Sequence, residues 1–169
     1  MGKVVRVCVK VLEGADDSQL EADAAEANAI FRQCDVQVKI AFVETNRRPK
    51  LVDLTRNDCD GPATHTVTDE EAELFELLRG KCPSEVVAYY IRSDGNLVLG
   101  CGAHPDGRPG FTVTNNQPDR LTFAHELGHV LGLDHVPDAQ NIMNELNPGT
   151  LLNETQGDII KNSYLLSDG

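Results

Sequence analysis

The chain has 169 residues and a mass of 18.4 kDa, with 40% of its residues apolar, which suits one globular domain and leaves little room for a second. Its 27 acidic and 15 basic residues give a net charge of −12, which argues against a nucleic-acid backbone or an anionic membrane as the main partner, because both need clustered Lys and Arg. No apolar run approaches the roughly 18 residues of a membrane span, and the start Met1-Gly2-Lys3-Val4-Val5-Arg6 lacks the unbroken apolar core of a signal peptide. A monomer is expected, either a mature domain or an intracellular protein.

Lys3 to Leu12 alternates valines with Lys and Arg, the period-two pattern of a strand. Ala15-Asp16-Asp17-Ser18 then supplies caps and early acids for a helix to about Gln33, with Leu20, Ala24, Ala27, Ile30 and Phe31 along its apolar stripe. Val36 to Val43 alternates again, so the two strands are expected to lie parallel and to be joined right-handedly. Residues 46–66 are polar, and their basic cluster (Arg47, Arg48, Lys50, Arg56) reads as a solvated face. Thr68-Asp69-Glu70-Glu71 opens a second helix to about Arg79, and Glu85 to Ile91 is a compact third strand. Short strands at Asn96 to Cys101 and Gly110 to Thr114 flank a Gly/Pro-rich loop. A helix from about Pro118 to Leu131 follows, capped by Asn116, then a long irregular stretch and a last helix from near Asn153 to near Leu166.

The five cysteines, Cys8, Cys34, Cys59, Cys82 and Cys101, form no CxxC pair, so a thiolate zinc site or thioredoxin-like motif has no support. Cys59 and Cys82 bracket the second helix and are candidates for a bridge in an oxidising compartment. Cys8 and Cys34 fall in core elements and read as inert apolar residues.

The chemistry is concentrated in His125-Glu126-Leu127-Gly128-His129-Val130-Leu131-Gly132-Leu133-Asp134-His135. On a helix, His125 and His129 stand at i and i+4, so both imidazoles leave one face with Cβ atoms roughly 5–6 Å apart. Both can then reach one ion at about 2.0–2.1 Å. Gly132 suits a left-handed helix stop, after which the returning chain can carry His135 to the same metal. Three neutral histidines leave a fourth tetrahedral position for water, the mark of a catalytic zinc site. Glu126 sits beside that position without being a ligand and suits a general base.

The segment HExxHxxGxxH resembles the zinc signature of the metzincin metalloproteases. Met143 lies eight residues after His135 and is the only methionine besides Met1. It is therefore the one candidate for the family's Met-turn, the apolar floor beneath the zinc. The resemblance implies an α+β (mixed α/β) fold: a twisted mixed sheet of about five strands with backing helices, an active-site helix and a C-terminal helix. Residues 1–169 would form one catalytic domain, with 1–132 its sheet-containing upper part and 133–169 its lower part. It also implies one catalytic Zn2+ and a polypeptide substrate lying extended along the edge strand at Leu99, Gly100, Cys101 and Gly102.

The chain is most similar to the matrixin-like branch and to small bacterial metzincins, with departures. Val136 follows the third histidine where matrixins commonly have Ser, and Glu145 stands where astacin- and serralysin-like branches carry a tyrosine ligand. His104 and Asp106 lack a full ligand set for a second metal such as Ca2+ and read as turn residues, and His65 has still less support. One other class shares the spacing. Bacterial rRNA-maturation endoribonucleases also have HxxxHxxGxDH, which His125, His129, Gly132, Asp134 and His135 satisfy. Glu126 and the net charge favour the protease.

Overall fold

The valine-rich alternation at the start of the chain becomes the centre of a sheet. In the computed structural model, which describes residues 2–46, 69–76, 86–92, 99–102, 104, 106–114 and 120–169, β1 (Lys3–Leu12) runs between β2 (Val36–Asn46) and β3 (Val86–Ile91). β3 is followed in the sheet by β5 (Gly110–Thr114) and then by β4 (Gly100–Cys101) at the end. The pairs β1–β2, β1–β3 and β3–β5 are parallel, whereas β4 runs antiparallel to β5. Among the described residues four helices accompany the sheet in this mixed α/β fold: α1 (Leu20–Phe31), α2 (Asp69–Glu76), α3 (Thr122–Val130) and α4 (Glu154–Lys161).

α1 makes the crossover between the first two strands. It ends in a single 3-10 turn, Arg32–Cys34, and Asp35 adopts φ 58 to swing the chain into β2. Asp tolerates this left-handed conformation better than a branched residue does. The helix is fastened to its neighbours by side chains: Asn28 Oδ1 accepts from the Val38 amide at 3.1 Å, and the Tyr90 hydroxyl donates to Asp23 Oδ2 at 2.7 Å.

Apolar residues cover both faces of the sheet, as parallel strands require. One face (Val5, Val7, Val9, Ala88, Phe111, Val113) meets α1 and α3 through Ile30, Phe31, Phe123 and Leu127. On the other, Cys8, Leu12, Val87, Tyr89 and Ile91 meet Leu74 and Phe75 of α2. This second face buries Lys10 completely, against the solvated position its charge suggests. The parallel register sets Glu44 opposite Lys10, and Nζ meets Oε2 at 2.6 Å. The charge is thus paired where it is desolvated.

The C-terminal end departs from expectation. The last helix stops at Lys161, and Leu166–Asp168 forms a sixth strand, β6, antiparallel to Lys3–Val5. Among the described residues β3 pairs with Val7 to Val11, and β6 takes the first residues of β1. α3 begins at Thr122, and the caps expected at residues 116–119 lie outside the described residues. So do the basic cluster at residues 47–56, His65, and the expected Cys59–Cys82 pair. Cys8 is buried as expected, but it is disulfide-bonded and not an inert thiol. Cys34 and Cys101 are buried thiols.

Candidate metal centre

Every residue of α3 is buried, so the helix carries its two histidines into the body of the protein. The helix is stopped by Gly132 at φ +100, a value that costs an L side chain strain. The amide of Leu133 donates to Gly128 O at 3.0 Å and that of Gly132 to His129 O at 2.9 Å, the paired bonds of a Schellman stop. The chain reverses there and returns His135 to the helix.

The three histidines converge. Nε2 of His125 lies 3.2 Å from that of His129 and 3.1 Å from that of His135, and the His129–His135 separation is 3.1 Å. The triangle is small enough for one ion to lie about 2.0–2.1 Å from all three nitrogens. The opposite nitrogens are braced by backbone. Nδ1 of His125 donates to Ile142 O at 2.7 Å, and Nδ1 of His129 donates to Leu133 O at 2.8 Å. A carbonyl can only accept, so each Nδ1 carries the proton and each Nε2 presents a lone pair. Facing lone pairs repel unless a cation stands between them, so the donor set fits a metal ion. Burial, and then the neighbouring His125 and His135, push the His129 pKa down to about 3 and keep that ring neutral. Among the described residues this is the one group of three or more His, Cys, Asp or Glu side chains that could hold a metal. His104 is half-buried and Asp106 exposed, and neither joins such a group.

Glu126 follows His125 on the helix and is 8% exposed. Burial raises its carboxyl pKa to about 8 in the metal-free protein. The end strand β4 lies directly over it. A Cβ on Gly100 would stand 2.7 Å from Glu126 Cγ, and one on Gly102 would stand 2.6 Å from His129 Cβ and 3.2 Å from Glu126 Oε2. Both positions are glycine because the strand must touch the helix there. Pairing with β5 continues beyond the strand, with the Thr114 amide donating to Leu99 O at 2.8 Å. Leu99, Gly100 and Gly102 are half-buried and Cys101 buried.

Met143 is fully buried under the helix, where a Cβ on Gly128 would come within 2.5 Å of its Sδ. The Met143 carbonyl accepts from the Val136 amide at 2.9 Å, so the chain from His135 to Met143 closes on itself. Two residues that the motif does not contain complete the surroundings. Asn141 and Gln156 exchange side-chain hydrogen bonds of 2.7 and 3.0 Å in a buried position. The spacing of Asn153 and Gln156 is that of a capping box, a signal that could have drawn attention to Gln156. Nothing in the sequence pointed to the carbonyls of Leu133 and Ile142.

No protein-family model matches the chain, and no curated protein matches it in sequence. Solved structures do. Metalloproteinase-II from Bacteroides fragilis superposes with TM-score 0.67 at 13% identity, over 93% of this chain and 52% of that one. A chaperone–substrate complex gives TM-score 0.57 at 12% identity, over 96% of this chain and 35% of the other. Archaemetzincin from Methanopyrus kandleri gives 0.55 at 16% identity, over 93% of both chains. The chain therefore spans about half the length of the first and about a third of the second. One of the three is a metalloproteinase by name and another an archaemetzincin, and their likeness shows a shared fold.

Proposed function

We propose that the protein is a zinc-dependent endopeptidase of the metzincin type. The convergence of three imidazole Nε2 atoms, two of them with Nδ1 locked by carbonyls, carries this proposal. His125, His129 and His135 would hold the metal, and Met143 would serve as the Met-turn beneath it. A bound zinc ion supplies Lewis acidity to a peptide carbonyl and makes water a nucleophile at neutral pH.

The remaining work falls to this chain's own groups. Glu126 takes a proton from the attacking water on its carboxylate and returns it to the leaving amine. Its buried position excludes bulk water from that transfer, and a cation beside it would draw its pKa down from about 8 toward the ionised form a base needs. A polypeptide would bind extended beside Leu99, Gly100, Cys101 and Gly102, adding a strand at the end of the sheet by main-chain hydrogen bonds. Glycines at 100 and 102 bring that strand against Glu126 and His129, and so set the substrate backbone at the reacting centre.

Digestion of a peptide library, read by mass spectrometry, tests the activity and reports the side-chain preference together. Zinc-loaded protein is expected to cleave, and Glu126→Ala is expected to keep its metal and lose cleavage. Retained cleavage in that variant would remove Glu126 as the base. Metal-dependent cutting of structured RNA without peptide cleavage would move the chain to the endoribonuclease class that shares its histidine spacing.

A further inference from the structure

We propose that Gln156 is a positioning residue for the metal centre, acting on His125 through Asn141 and the carbonyl of Ile142. The inference rests on the reading that the three histidines bind a metal.

Gln156 is 5% exposed and Asn141 2% exposed. Gln156 Oε1 accepts from Asn141 Nδ2 at 2.7 Å and from the Asn153 amide at 3.0 Å, while its Nε2 donates to Asn141 Oδ1 at 3.0 Å. The Gln156 amide in turn donates to Asn153 Oδ1 at 2.9 Å, so the start of α4 holds the side chain in one orientation. Asn141 passes the constraint on. Its Oδ1 also accepts from the Met143 amide at 2.9 Å, fixing the peptide unit whose carbonyl belongs to Ile142. The Ile142 amide donates to Leu151 O at 3.0 Å, so the residue is held on both sides. That carbonyl then receives Nδ1–H of His125 at 2.7 Å.

A local origin for this brace is lacking, since His125 and Ile142 are 17 residues apart. His129, by contrast, is braced by Leu133, four residues on. The long connection needs something to hold its far end, and the buried amide pair does so. An unpaired amide at this depth carries a desolvation cost, so the pair tolerates few other arrangements.

Cobalt(II) titration of the whole chain, followed by the d–d absorption bands, tests the proposal without using activity. Gln156→Met keeps the length of the side chain and removes its hydrogen bonds. It is expected to weaken cobalt binding by roughly 10–100-fold, the effect typical of removing an outer partner of a ligand, and to alter the bands. Ile160→Ala, in the same helix and fully buried, supplies a variant destabilised without touching the network. Its affinity and bands are expected to match wild type. If Gln156→Met does not fold, Gln156→Glu keeps the Oε1 acceptor and loses the donor to Asn141, with a smaller loss of affinity expected. Wild-type affinity and bands in the folded Gln156 variant would overturn the proposal, as would an equal loss in Ile160→Ala. Failure of wild type to bind cobalt would overturn the metal-centre reading itself, and shows in the wild-type arm alone.

Discussion

Two sides of the three-histidine centre are built in opposite ways. The His129 side is made within one short stretch: the helix ends, Gly132 turns the chain, and the carbonyl of Leu133 braces the ring from four residues away. The His125 side is assembled from three distant pieces, namely the turn at Asn141 to Met143, the strand-like segment at Leu151, and the start of α4. The first can form as soon as the helix does. The second exists only when residues 141–156 have come together. Metal affinity should therefore respond to lesions far away on the His125 side and only to nearby ones on the His129 side.

The largest effect expected is in the pH dependence of metal-free protein, set by Glu126, the buried neighbour of His125 on α3. Its folded pKa of about 8 lies above the 4.5 of an ordinary carboxyl. The stability gained by keeping it protonated is complete below 4.5 and is lost as pH rises through about 8. Over that window metal-free protein should lose up to about 5 kcal/mol from this group, and Glu126→Gln should abolish the slope in urea denaturation. His129 runs the other way. With its pKa lowered from 6.5 to about 3, its contribution is present above pH 6.5 and is lost as pH falls toward 3.

Next comes Met143→Ala, which empties a fully buried position beneath α3. It should cost about 2–5 kcal/mol in chemical denaturation and weaken metal binding through the His125 side. Equal stability loss with unchanged affinity would show that the turn is not coupled to the ligand. On the local side, Gly132→Ala forces a Cβ into the left-handed region at φ +100. A loss of roughly 1–2 kcal/mol is expected, with metal binding weakened through His129 and His135. The smallest effect belongs to Gln33, whose amide clamps residues 150–152 through Thr150 O at 2.7 Å and the Leu152 amide at 3.2 Å. Gln33→Ala should cost about 1 kcal/mol or less. A large fall in metal affinity there would mean that the distant brace reaches further than Asn141 and Gln156.

This division also separates what could be read in the sequence from what could not. The strand at Lys3–Leu12, the crossover helix and the three histidines announce themselves through periodicity and spacing, which are local properties. Gly132 was legible for the same reason. Lys10 was not, because its burial depends on Glu44 arriving from a strand beyond α1. β6 is not legible because Leu166 to Asp168 pairs with a stretch of β1 whose openness depends on where β3 begins. Gly100 and Gly102 read as part of an edge strand, yet the reason for glycine there is contact with Glu126 and His129. The Asn141–Gln156 pair joins residues 15 apart, so neither partner has a meaning until the chain between them is folded.

Metal content of the purified chain tests the three-histidine centre most directly. After dialysis against metal-free buffer, about one zinc per chain should remain, and His125→Ala, His129→Ala and His135→Ala should each lose it while staying folded. A chain that retains no metal, or one whose zinc survives all three substitutions, would contradict a centre built on these residues.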